Sequence, residues 1–320
     1  MISPDTAIDR SVCAACQTPL QGRYCHACGQ DSHARPTALR EMAVSVATSY
    51  SPIDGKLART LAVLATRPGR LLEAYRAGAG SLYVTPLKLF VATTALFLAL
   101  LNFSSTTLYQ YTWKAEPGQP VTVSYDARRD EVTVAGAVEE SRWLQRKIDP
   151  AIDPAVTAAL RKAMAGAPTA IEKASINYEL AWNGTEARLG ERLSNWLPNV
   201  LWLLMPLYAV GLIPLFGRRR LFLEHVIFAL WAHAVSFVLM MVLAAINSRG
   251  ANLSVSLLVV PYLGYFTVAA SRYYAVPPLS ALWRGALHLV AYVLLVLLPV
   301  AFIINITVVD WKAWLAWAAA

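Results

Sequence analysis

Charge is what this chain has little of. Only 15% of its 320 residues are Asp, Glu, Lys or Arg, against 57% hydrophobic residues, a balance that excludes an ordinary soluble domain of this length. Carboxylates run out first: beyond residue 195 the sequence has only Glu224 and Asp310. Cysteine is absent after Cys28, so no disulfide framework holds the body of the protein. The opening forty residues lack the basic stretch and apolar run of a secretory signal, and the N-terminus is therefore expected to stay in the cytosol. No internal repeat and no low-complexity tract stands out.

What the chain has instead is long apolar sequence. Five stretches approach or reach the roughly 20 residues that a helix needs to cross a bilayer core. They are residues 86–103, 196–216, 226–246, 253–270 and 285–306. The short loops beside them carry the orientation signal, because Lys and Arg in short loops are held on the cytosolic side. "GRRRLFLEH", with Arg218, Arg219 and Arg220, and "SRYYAVPPLSALWRG", with Arg272 and Arg284, read as cytosolic, whereas "NSRGAN" carries Arg249 alone.

Five crossings from that start give a multi-pass cell inner-membrane protein with a cytosolic N-terminus, residues 104–195 outside and an extracytoplasmic C-terminus. Trp311, Trp314 and Trp317 after the last span fit an aromatic belt. A net charge of +8 also raises nucleic acid as a partner. The basic residues sit at membrane edges, where orientation and the anionic lipid of the bilayer account for them, so nucleic acid is disfavoured.

The expected fold is a mostly α membrane protein with about five transmembrane helices, an N-terminal four-cysteine zinc ribbon and a small α+β extracytoplasmic insertion. Residues 1–36 hold the ribbon and a connector, and 37–85 hold cytosolic interfacial amphipathic helices broken by "RPG" at 67–69. Packing of those helices on other cytosolic parts of the chain is an equal alternative. Residues 86–103 form the first span, 104–195 the cap and 196–320 spans two to five.

Within the cap, Val121, Val123 and Tyr125, then Val132 and Val134, alternate about a charged turn and predict a β-hairpin. Asp153 and Pro154 predict a helix start, and Gly166 its end. Another helix is expected from Thr169 to near Asn183 or Arg192. Pro206, Gly211 and Pro214, with Pro261 and Gly264, raise the prospect of broken transporter-like helices, although kinks are the ordinary reading.

All four cysteines lie in "CAACQTPLQGRYCHACGQ", as Cys13, Cys16, Cys25 and Cys28. Two Cys-x2-Cys pairs on facing turns can place four thiolates around one Zn²⁺, with Pro19 and Gly22 reversing the chain between them. Disulfides and a redox-active pair compete, but reducing cytosol disfavours the first and duplication disfavours the second. Four Cys ligands leave no open coordination position, so the zinc is read as structural, and His26 as a bystander or a neighbour that donates to a ligand. Residues 1–40 carry four Arg against three acids, too few for a phosphate-binding surface, so the ribbon is expected to contact protein.

From the ribbon through "DGKLARTLAVLATRPGRLLEAYRAGAGSLYVTPLKLF", the sequence resembles the domain-of-unknown-function family three-six-six-seven. Asp54, Gly55, Thr60, Leu61, Pro68, Gly69, Tyr75, Gly78, Tyr83 and Pro86 fall on its pattern, and "EHVIFALWAHAVSF" is similar to a later segment. The resemblance implies an architecture, a zinc ribbon ahead of an amphipathic stretch and several spans in uncharacterised bacterial membrane proteins, and no activity. Family members carry basic residues after the glycine that matches Gly78, where this chain has Ala79 and Gly80.

Ionisable residues inside spans are costly and mark candidate sites. Glu224, His225, His233 and His288 qualify, and the topology puts all four in the inner half of the bundle. A metal, haem or proton-handling site is one reading; Glu224 paired with arginine and each histidine bonded to a backbone carbonyl is the plainer one. No residue set forms a recognisable active site. The sequence therefore points to a membrane-bound interaction or regulatory module rather than an enzyme, with a transporter or intramembrane enzyme using the His/Glu cluster as the competitor.

Overall fold

The computed structural model describes residues 11–13, 15–32, 55–77, 82–217 and 220–320, with the backbone alone at 197–199 and 201–203. Residues 37–54 and 78–81 of the expected amphipathic stretch, the latter with Gly78, Ala79 and Gly80, lie outside the described residues.

Helices dominate. In chain order they are α1 (Gly55–Thr66), α2 (Arg70–Arg76), α3 (Pro86–Phe103), α4 (Pro154–Gly166), α5 (Ala170–Phe216), α6 (Phe222–Asn247), α7 (Val259–Tyr274), α8 (Pro278–Tyr292), α9 (Leu298–Ile306) and α10 (Trp311–Ala318). A 3-10 turn, Val255–Leu258, leads into α7, and a π-helical turn, Val293–Leu297, joins α8 to α9. Four strands fall between α3 and α4: β1 (Thr106–Ala115), β2 (Thr122–Asp126), β3 (Glu131–Ala135) and β4 (Ala137–Arg146).

Four helices among the described residues are long and apolar enough to cross a membrane: Pro86–Phe103, Phe222–Asn247, Val255–Tyr274 and Pro278–Ile306. They make the chain an integral membrane protein. Of the expected span at 196–216, the described apolar part is Leu204–Phe216, which belongs to the 47-residue helix α5. The helix expected to end near Asn183 or Arg192 runs on without interruption, because a helix propagates through local backbone bonds and does not need its polarity to stay constant. Nor do Pro206, Pro214 or Pro261 break a helix; the irregular turn lies just ahead of Pro299.

The chain divides into two compact units. Unit 1 takes Met1–Leu98, Leu201–Met241 and Ser256–Val296. Its core is aromatic: Phe90, Phe228, Trp231, Phe237, Phe266 and Tyr273 are almost wholly buried. Phe237 lies against Phe90 at 6.1 Å and Phe97 at 5.3 Å between ring centroids. Helix α6 is central, with 67% of its apolar window buried, whereas the window of Pro278–Ile306 is only 6% buried and presents its leucines outward. Helices α7 and α8 meet closely at Gly285, where a Cβ would lie 2.6 Å from the Phe266 ring. Leu71, Leu72 and Ala74 of α2 are fully buried, so the apolar stripe of this helix faces protein.

Unit 2 takes Ala99–Val200, Val242–Val255 and Leu297–Ala320. The predicted hairpin is present as β2 and β3, with Val123 opposite Val134 and Tyr125 opposite Val132. It is carried by a longer antiparallel pair, β1 with β4, that sequence patterning did not register. Tyr111, Trp113, Val156, Leu160 and Ile176 form the core between β1, α4 and α5. Helix α4 starts as expected: Pro154 occupies its first turn and Asp153 Oδ1 accepts a hydrogen bond from Ala155 N at 2.9 Å.

Candidate metal centre

The ribbon is built from one turn used twice. Cys13 N donates to Thr18 O and Gln17 N to Cys13 O; twelve residues on, Cys25 N donates to Gln30 O and Gly29 N to Cys25 O, all at 2.8 to 2.9 Å. Outside each turn a further pair repeats, Leu20 N to Ser11 O and Ser32 N to Arg23 O. Antiparallel bridges join Val12 to Pro19 and Tyr24 to Asp31. A twelve-residue offset is thus a short internal repeat, which the sequence reading missed because the two halves share little beyond the cysteines and the alanine at 15 and 27.

The four Sγ atoms lie within 4.8 Å of one another, and no other group of three or more His, Cys, Asp or Glu among the described residues is so placed. Cys13 and Cys28 are separated by 3.6 Å and Cys16 and Cys25 by 3.5 Å. A tetrahedron of thiolates about 2.3 Å from its metal has edges of about 3.8 Å, so this donor set fits a bound ion closely. The thiols are unbridged.

Electrostatics make the same point. Burial pulls the Cys16 thiol up, but hydrogen bonds with the Thr18 side chain and backbone outweigh it and lower the group to about 6. Cys28 is pushed up to about 12, first by burial. Four thiols in contact cannot all ionise alone; a divalent cation removes the conflict and lets every one bind as thiolate. His26 is exposed and contributes no ligand atom.

The ribbon sits on other parts of unit 1. Arg70 Nη2, from the first turn of α2, donates to Ala15 O at 3.1 Å. The turn at 67–69 rests in turn on α7. Arg272 Nη1 donates to Pro68 O at 3.3 Å, and a Cβ on Gly69, which has φ 86°, would lie 3.0 Å from Arg272 Cδ and 3.2 Å from Ala269 Cα. Tyr265 Oη donates to Leu64 O at 2.9 Å, and Arg76 Nη1 to Tyr273 O at 3.2 Å. Thr60, wholly buried in α1, accepts from Val84 N at 3.1 Å and so ties α1 to the start of α3.

A family model described as Protein of unknown function (DUF3667) matches residues 54–98. The resemblance holds over that stretch. No curated protein and no solved structure matches the chain. The DUF3667 segment therefore spans α1, α2 and most of α3, which together dock on α7 and, through Phe90, on α6.

The membrane-embedded candidates lie elsewhere in unit 1 and do not gather into one centre. Glu224 Oε2 pairs with Arg220 Nη1 at 3.1 Å. His225 Nδ1 lies 3.1 Å from Tyr274 Oη, and the two rings stack. His233 Nδ1 lies 2.8 Å from Ala229 O in its own helix, and His288 Nε2 lies 3.0 Å from Tyr208 O. His233 and His288 share the Tyr208 ring as a neighbour, at 5.1 Å and 4.3 Å between centroids. Tyr208 also hydrogen-bonds Tyr262. Gly211 admits the imidazole of His288: a Cβ there would lie 3.0 Å from Nε2.

Proposed function

We propose that this is an inner-membrane protein of bacterial type in which a structural zinc ribbon serves as an interaction or regulatory module on the cytosolic face. The observation that carries the reading is the approach of four cysteine Sγ atoms to within 4.8 Å of one another. Zinc is the ion that suits an all-thiolate, near-tetrahedral set in reducing surroundings. When bound it supplies cross-linking and charge balance, since four protein ligands leave no position for a substrate or water. That leaves recognition as the task of the ribbon. The transporter or intramembrane-enzyme reading has less support, because Glu224 is paired with arginine and the imidazoles of His233 and His288 are held by carbonyls.

The topology follows from charge and apolar length. Five crossings, with 196–216 as the second, place the ribbon and residues 37–85 in the cytosol, the cap of residues 104–195 outside, and the C-terminus outside. Residues 196–320 then supply spans two to five.

Metal analysis of purified chain should find about one zinc per chain, and Cys13→Ser with Cys28→Ser should reduce it to background. Zinc at wild-type level in that variant would sink the ribbon reading. Reporter fusions after residues 30, 150 and 320 should read cytosolic, outside and outside. A ribbon found outside would restore disulfides as the contender.

A further inference from the structure

We infer that the ribbon is a metal-dependent latch on the DUF3667 segment, with Arg70 as its bolt, so that metal occupancy is transmitted to the membrane helix α7. The inference rests on the zinc reading above and adds to it the partner of the ribbon and the consequence of releasing it.

The contact is specific. Ala15 stands between two ligands, Cys13 and Cys16, and is itself 2% exposed. Tying both cysteines to one ion would fix the Ala15 carbonyl, because an eighteen-residue segment has no core of its own to hold the turn. Arg70, fifty-five residues away, donates to that carbonyl at 3.1 Å with a side chain only 15% exposed.

From Arg70 the connection to α7 is short. Gly69 precedes it in left-handed backbone against Arg272 and Ala269, and Arg76, at the other end of the same two-turn helix, holds Tyr273 O. Helix α2 is thus fixed to the ribbon at its start and to α7 at both ends. The 3-10 turn and helix Val255–Tyr274 form one of the four membrane-crossing candidates, so a change in how α2 is seated reaches a bilayer-spanning element.

Hydrogen exchange on the full chain in detergent, kept reduced, with and without a strong zinc chelator, tests this. Chelation should speed exchange at residues 13–30 and, by about tenfold or more, at the α2 amides of residues 71–76. Arg70→Ala in zinc-loaded protein should release α2 while the ribbon amides and the zinc content stay as in wild type. In that variant chelation should then have no further effect on α2. A merely structural Arg70 would leave the chelation effect intact, and that result would overturn the latch. So would a ribbon that unfolds on chelation while α2 stays protected. If Arg70→Ala does not fold, Arg70→Lys, which keeps the charge and loses the planar fork, should show the same loss of coupling in weaker form. Wild-type chain that carries no zinc at all would instead defeat the zinc reading itself, and metal analysis of the same samples separates the two failures.

Discussion

Gln17 and Gly29 hold the same place in the two halves of the ribbon, each directly after the second cysteine of its pair, and both adopt left-handed backbone, with φ of 66° and 72°. Glycine is at ease there, whereas a residue with a Cβ gives up about 1–2 kcal/mol. A Cβ on Gly29 would meet nothing within 4 Å, so the penalty at that position is backbone alone. Gly29→Ala should therefore lower the chelator concentration that strips half the metal by about fivefold or more. Gln17→Gly should raise it, by less than the full backbone term, because glycine also gains freedom in the unfolded chain. Equal retention by Gly29→Ala and wild type would mean that the turn is not strained by side chains.

The contact of Gly211 with His288 makes a different forecast. A methyl at residue 211 would sit 3.0 Å from Nε2 and 3.2 Å from Cδ2 of the imidazole, pushing it off Tyr208 O. Gly211→Ala should destabilise the chain in detergent by about 1–3 kcal/mol, read as a lower thermal midpoint. His288→Ala removes the obstructing ring, so in the double variant the two losses should add to less than their sum. Strict additivity would show that the two residues act independently.

Much of this was legible in advance, and the misses have physical causes. The cysteine spacing, the turn at 67–69, the β2–β3 hairpin and the start of α4 are local features, each written in a few adjacent residues. The strands β1 and β4 were not read. "TTLYQYTWKA" has the aromatic and β-branched content of a strand, but "AVEESRWLQR" is charged and gains its identity only from nine residues of pairing with β1. The continuity of α5 was hidden by its change from polar to apolar composition. For the histidines, the sequence offered both a cluster and separate structural roles; which partner each faces, a carbonyl for His233 and His288 and the Tyr274 hydroxyl for His225, depends on helix packing that no spacing rule encodes.

Asp153 offers a test of a local feature that was read. Its carboxylate accepts Ala155 N ahead of α4, whose Val156 and Leu160 are fully buried in the cap core. Asp153→Ala should cost about 1 kcal/mol, and Asp153→Ser or Asp153→Asn should recover most of it. Hydrogen exchange in residues 154–166 of the full chain would register the loss. Protection unchanged in the alanine variant would show that tertiary packing alone sets the helix start.

The cap should also weaken as pH rises toward neutral. Glu179 and Glu186 of α5 are raised above the ordinary carboxylate value, in both cases first by burial, and each also feels the negative charge of Glu139 on β4. Asn183 Nδ2 donates to Glu179 Oε1 at 2.9 Å, and Tyr111 of β1 donates to Asn183, so these carboxylates border the buried face of the sheet. None of the ion pairs among the described residues includes them. With folded values above unfolded ones, the fold binds protons more readily than the open chain, and the stability this confers is lost as pH rises through the folded values. Asp130 runs the other way: hydrogen bonds, first from Ser175 and then from Tyr125, lower it, so its contribution is lost as pH falls. It is exposed, and the half-buried glutamates should prevail. Amide protection along β1, corrected for intrinsic exchange, should fall as pH rises from the ordinary glutamate range toward neutral, and Glu179→Gln should flatten that slope by keeping one site neutral throughout. Protection that rises with pH in the wild-type chain would assign control of the cap to Asp130 and sink the role given to the glutamates.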